Sequence, residues 1–141
     1  WLRRPKPVAP PPPPRPPWDV ALEALFDIQQ SRLIEAGRLG EHFDRVSHVL
    51  RRYLGDRYGF DGLESTTREI LTALSQRQLH ADQYESVRRF LDESDLVKFA
   101  NMAPTEAQCH WLWDSAETIV KELGGFLPER RVTPRLKFLL L

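Results

Sequence analysis

Four histidines, one cysteine and a short run of carboxylates are the side chains in this chain best suited to bind a metal or move a proton. His42 and His48 are six residues apart, about 240° around a helix, so they point to different sides. Cys109 and His110 are adjacent and diverge for the same reason. None of them falls in a C-x-x-C or H-E-x-x-H arrangement, which leaves surface histidines and a core cysteine as the expectation. Asp92, Glu93 and Asp95 lack the loop spacing of a calcium site and read as a solvated face. There is no G-x-x-x-x-G-K-[ST] loop, no G-x-S-x-G elbow and no G-x-G-x-x-G turn. The seven glycines are expected singly or in pairs at helix ends. The expectation is therefore a protein that is not an enzyme and holds no metal or cofactor.

The remaining candidates are residues that would bind a partner. Arg51, Arg52 and Arg57 line the polar face of a central helix, where they would meet an acidic partner or pair with Asp44, Asp56 or Asp61. Trp111 and Trp113 are two apart and point in different directions on a helix. Trp113 shares a face with Leu112 and Cys109 and is expected in the core. Trp111 does not, and would cover a second helix or anchor a partner. Residues 94–100, SDLVKFA, form a compact apolar segment of one or two helical turns. Leu96, Val97 and Phe99 are expected to plug the bundle, with Lys98 held by Asp95 and by Glu93 or Asp92. The alternative is that the same segment presents Lys98 to a partner.

The elements that must position these residues are helices. In residues 42–60 the apolar residues fall at Phe43, Val46, Val49, Leu50, Tyr53 and Leu54, with Tyr58 a turn on. That spacing gives one broad apolar stripe, bracketed by Gly40 and Gly59. Such a helix is marginal alone and needs other amphipathic helices to cover it. An earlier helix would be capped by Asp19, with Ala21, Leu22, Leu25, Phe26 and Ile28, and then Leu33 and Ile34, on its apolar face. Ser65, Thr66 or Thr67 would cap a third, with Glu69 near the capping-box position, ending near Gln78. Asp82 and Glu85 would form the capping box of a fourth. Thr105 would cap the last, burying Cys109, Leu112, Trp113, Ala116, Ile119, Val120 and Leu123 before Gly124 and Gly125 stop it. No strand alternation or internal repeat is evident. The fold class expected is all-α: a compact bundle of about five short helices behind a proline-rich N-terminal linker.

Nine of the twelve prolines lie in residues 5–17, and the formal charge of zero is unevenly spread. Residues 1–17 carry +4, residues 126–141 carry +3, and the 108-residue body, 18–125, carries −7. An acidic body is a poor nucleic-acid binder; the basic tails would suit anionic lipid head groups. One cysteine excludes an intramolecular disulfide framework and fits a reducing compartment. Trp1, Leu2, Arg3 and Arg4, followed by Lys6, read either as the cytoplasmic edge of an upstream transmembrane helix or as an ordinary basic terminus. The tract PKPVAPPPPPRPP is expected to be a semi-rigid polyproline II spacer, about 40 Å long. Pro10, Pro13 and Arg15 also make a P-x-x-P-x-R ligand pattern, which leaves a soluble adaptor recruited through this tract as one alternative; the other is an enzyme or metal-dependent domain, which would require polar groups converging in a pocket. The tail from Phe126 is basic and apolar, and its last four residues, FLLL, are expected to be exposed.

Together, Leu50-Arg51-Arg52-Tyr53-Leu54, Arg57-Tyr58-Gly59-Phe60, Ser65-Thr66-Thr67-Arg68-Glu69-Ile70, Phe90-Leu91 and Asp95-Leu96-Val97-Lys98-Phe99-Ala100 resemble a helical domain of bacterial membrane proteins. That domain is the cytoplasmic C-terminal region of BatD-like (aerotolerance-operon) proteins, encoded beside MoxR-type AAA+ ATPases and von Willebrand factor A proteins. The likeness spans residues 18–123. It implies a non-enzymatic interaction module at the cytoplasmic face of the inner membrane, following a transmembrane helix, with the ATPase or a von Willebrand factor A protein as partner. It carries no catalytic residues over.

Overall fold

Five helices make up the structure, a computed structural model that describes residues 4–124: α1 (Pro17–Gln30), α2 (Leu39–Tyr58), α3 (Thr67–Ser75), α4 (Ala81–Phe99) and α5 (Glu106–Leu123). The all-α bundle is as expected. α2 is the central element, packed against α1, α5 and α4, while α3 lies on α4 and α5 closes against α1 and α4. The core is continuous. Leu50 and Leu54 of α2 are fully buried together with Leu25, Ile70, Leu74, Val87, Phe90, Leu91, Leu112 and Val120. Five short amphipathic helices thus bury one another's stripes, which none could do alone.

The helix starts show which local signals acted. Thr66 caps α3 by accepting from the Glu69 N–H at 3.1 Å, and the Glu69 carboxylate accepts from the Thr66 N–H at 3.0 Å. Thr105 and Gln108 repeat that reciprocal box at α5. Two expected caps are displaced. α1 begins at Pro17 with Pro16 as N-cap, not at Asp19, because proline already holds the φ of a first helical turn and has no N–H to leave unsatisfied. α4 begins after His80, not Asp82. The His80 N–H donates to Gln83 Oε1 at 3.1 Å, so the box falls two residues earlier than Asp82 and Glu85 predict.

Other boundaries move as well. α1 stops at Gln30, and Arg32 turns the chain in the left-handed region at φ 53°, so Leu33 is buried from a turn and not from a helix. α2 starts at Leu39 and takes in Gly40, and α3 ends at Ser75, before Gln78. Gly55 also lies inside a helix, against the expectation that every glycine marks an end. The reason is a backbone crossing. A Cβ on Gly62 would stand 1.9 Å from the Arg51 carbonyl oxygen, and one on Gly55 would stand 2.5 Å from that of Phe60. The chain leaving α2 folds back onto the helix it has just left, at a distance only glycine permits. Residues 4–15 are exposed and without regular secondary structure. Arg15 pairs with Glu23 at the surface, 2.5 Å apart. Trp1, Leu2 and Arg3, and the tail from Gly125 with its FLLL end, lie outside the described residues.

Candidate functional site

Of the candidate arginines, two are bonded to main-chain carbonyls elsewhere in the fold. Arg51 is held at the junction of three helices. Its Nη1 donates to the Ser65 carbonyl at 3.0 Å, and its Nη2 donates to Thr67 Oγ1 at 3.0 Å and to Asp95 Oδ1 at 3.4 Å. Thr67 in turn donates to Asp95 Oδ2 at 2.6 Å. Asp95 therefore ties α4 to α2 and to the first turn of α3. It does not hold Lys98. Arg57 donates to the Leu123 carbonyl at 2.9 Å and lies over the rings of Trp18 and Tyr58, each 5.5 Å away. It satisfies a carbonyl at the end of α5 and pins the start of α1. Arg57 and Arg52 are both exposed, and Arg52 pairs with Asp56 at 3.7 Å. A guanidinium already bonded to main-chain carbonyls is costly to withdraw, so Arg51 and Arg57 are structural ties, whereas Arg52 is held by an exposed ion pair.

The two tryptophans divide less cleanly than expected. Trp113 is half-buried, not fully in the core, and its Nε1 donates to the Leu25 carbonyl at 2.8 Å. Trp111 is half-buried too, with the Arg89 guanidinium 5.7 Å above its ring. It covers the α4–α5 seam.

The largest correction concerns residues 94–100. They form no separate plug; α4 runs through them to Phe99. Once the helix continues, its phase decides which side each residue takes. Val87, Phe90, Leu91 and Ser94 face the core, with Ser94 donating to the Phe90 carbonyl at 2.8 Å. The opposite stripe, at spacings of three and four, is Glu85, Arg88, Asp92, Leu96 and Phe99. Its first three members form an ion-paired ladder, with Arg88 bonded to Glu85 and, at 2.8 Å, to Asp92. Its last two are apolar and bare: Leu96 is 62% exposed and Phe99 76%. Asn101 then turns the chain at φ 52°, and Met102 follows at 73% exposure. Pro104 is buried and anchors the connection to α5. Val97 alone of the expected plug packs on the core, and only partly. Lys98 is exposed, its Nζ 5.8 Å from the Phe99 ring and without an ion pair among the described residues.

Six large apolar side chains are exposed among the described residues, and three of them fall between Leu96 and Met102. Scattered surface apolar residues are normal, but a cluster at one helix end is the kind that marks an interaction surface. Sequence reasoning missed Met102 and misdirected Leu96 and Phe99. The signal that finds them is the phase of α4 set by Val87, Phe90 and Leu91.

Of the chemistry-bearing residues, His48, His80 and His110 are exposed, as expected. His42 is buried, contrary to a surface reading, and its Nε2 donates to the Cys109 carbonyl at 3.3 Å. Burial lowers its pKa below the usual 6.5, against the opposing effects of that hydrogen bond and of Glu35. Cys109 is buried as expected, and burial pushes its thiol up, which keeps it protonated and unreactive. No group of three His, Cys, Asp or Glu among the described residues is placed to hold a metal ion, and no described helix is long and apolar enough to cross a membrane. Compared with known proteins, the chain matches no family model, no curated protein and no solved structure.

Proposed function

We propose that this domain is a non-catalytic protein-docking module and that its docking face is the C-terminal end of α4. The observation that carries this is the bare cluster of Leu96, Phe99 and Met102 at the end of an otherwise charged stripe. Leu96 and Phe99 stand one turn apart, the i, i+3 spacing with which a helix presents apolar anchors to a partner groove. Lys98 beside them supplies a cation for the polar rim. Arg52 and Trp111 lie on other helices and are secondary candidates; Arg51 and Arg57 serve the fold.

The partner we assign follows from the resemblance to the cytoplasmic domain of BatD-like proteins: a MoxR-type AAA+ ATPase or a von Willebrand factor A protein. In that setting the exposed proline tract would space the bundle from a membrane anchor on the cytoplasmic side of a bacterial inner membrane. The test is a titration of the full chain against each of these two proteins, followed by Phe99→Ser and Lys98→Ala. Loss of binding in Phe99→Ser at unchanged melting temperature supports the α4 face. Binding that survives Phe99→Ser moves the docking site elsewhere, and no binding to either protein removes the assigned partners.

A further inference from the structure

The chain holds two sulfur-bearing side chains, and the fold treats them in opposite ways. Cys109 is fully buried on α5, and its Sγ donates to the Leu39 carbonyl at 3.5 Å. Burial also pushes that thiol up, which suppresses the thiolate that an oxidant attacks. Met102 is the reverse case. It is the only methionine, it stands in the connection between α4 and α5, and it is 73% exposed. Asn101, at φ 52°, turns the chain just before it, and the buried Pro104 anchors the chain just after. Between these two points the thioether is presented to water, three residues from Phe99 and beside the bare end of α4.

We infer that Met102 is an oxidation site through which hydrogen peroxide weakens docking at the end of α4. The inference rests on the docking reading of that face and adds its regulation. The step needs no catalytic group from the protein. The thioether sulfur attacks one peroxide oxygen, an S–O bond forms as the O–O bond breaks, and the second oxygen leaves as water with both protons. Sulfur is oxidised by two electrons and the peroxide is reduced by two. The product is methionine sulfoxide, a polar, chiral side chain where a flexible apolar one stood. An apolar partner surface covers a thioether readily, but a sulfoxide oxygen covered by that surface loses its water without gaining a hydrogen bond. Met102 lies outside the core cluster, so the change leaves the fold intact and acts on what the face can bind. The same exposure leaves the sulfoxide open to a methionine sulfoxide reductase, which makes the change reversible.

The experiment treats the full chain with hydrogen peroxide and locates the added oxygen by peptide mass spectrometry. Met102 should gain one oxygen while Cys109 gains none, at an unchanged melting temperature. The face is then read with the apolar dye anilinonaphthalene sulfonate, titrated against the untreated chain, the oxidised chain, Phe99→Ser and peroxide-treated Met102→Leu. Oxidation should weaken dye binding about fivefold, the scale of one polar group covered without a partner. Phe99→Ser should weaken it at least as much, and treated Met102→Leu should keep the untreated affinity. Dye binding unaffected by Phe99→Ser overturns the docking face, and this inference with it. Binding weakened by Phe99→Ser but not by oxidation, an equal loss in treated Met102→Leu, oxygen gained first at Cys109, or a lowered melting temperature each overturns the inference alone.

Discussion

The ends of α2 and α4 solve the same problem in opposite ways. Both helices stop with a residue in the left-handed region, Gly59 after α2 and Asn101 after α4, and both carry aromatic side chains in the last turn. At α2 the two aromatic residues, Tyr58 and Phe60, are half-buried against the core, though Leu63 beyond them is 43% exposed. The Gly59 and Phe60 N–H groups both donate to the Gly55 carbonyl, and Arg77 donates to the Tyr58 carbonyl at 2.6 Å while lying over its ring. The Gly62 backbone closes onto Arg51. At α4 the turn leads straight into an exposed connection, and Leu96, Phe99 and Met102 stay bare. The difference shows that termination chemistry alone does not decide exposure; what the following loop packs against does.

The strongest test of the α2 side of this contrast is the core beneath it. Leu50→Ala should destabilise the protein by roughly 2–5 kcal/mol, as for a fully buried leucine, measured by denaturant unfolding. A melting temperature within a degree or two of the parent would break the central role given to α2. Gly62→Ala comes next. Its Cβ would meet a backbone carbonyl, which cannot rotate away, so a loss of about 1–3 kcal/mol is expected from overpacking. Gly40→Ala is the matched control, because nothing lies within 4 Å of a Cβ there. In the first turn of α2 it should be neutral or stabilise by up to about 1 kcal/mol, the upper limit set by a helix interior. Equal effects at the two glycines would remove the crossing as a cause.

Asp95→Ala probes the joint between the two regions. It leaves Arg51 partly buried with only Ser65 and Thr67 as partners, and should cost about 1–2 kcal/mol without touching Phe99. Stability should also fall with acid through His42. Its folded pKa lies below its unfolded one, so the unfolded chain binds more protons in this window. The contribution is therefore complete above about pH 6.5 and is lost as pH falls from there through the folded value. The slope can reach about 1.4 kcal/mol per pH unit at most. Chemical unfolding between pH 7 and 5.5 should show it in the parent and not in His42→Gln.

Much of this fold is legible in the residues. The stripe Val46–Leu50–Leu54, the threonine caps at Thr66 and Thr105 and the α5 face around Leu112 and Val120 are local patterns, and local patterns formed. What was not legible was set by tertiary contact or by phase. Nothing near Gly55 and Gly62 in sequence says that one backbone crosses the other. Arg51 reads like Arg52, yet Thr67 and Asp95 reach it only once α3 and α4 have packed. Leu96 and Phe99 look like core residues because they are apolar. Breaking α4 at Glu93 frees them from its phase, and the unbroken helix turns them outward.

The smallest expected effect on stability is the one that bears most on function. Phe99→Ala should change unfolding free energy by about 0.5 kcal/mol or less, the range for a surface substitution, where a fully buried ring would cost about 3–5 kcal/mol. The two outcomes are far enough apart for a single denaturant titration. A ring that contributes nothing to the fold yet stays bare at the end of a charged stripe is available for another surface to cover. The same variant should therefore lose partner binding, and a covered phenylalanine at the centre of an interface typically accounts for about 2 kcal/mol or more, some thirtyfold in affinity. Lys98→Ala should weaken binding less and mainly slow association, as rim charges do. If Phe99→Ala unfolds the protein instead, the end of α4 is packed after all and its contrast with the end of α2 disappears.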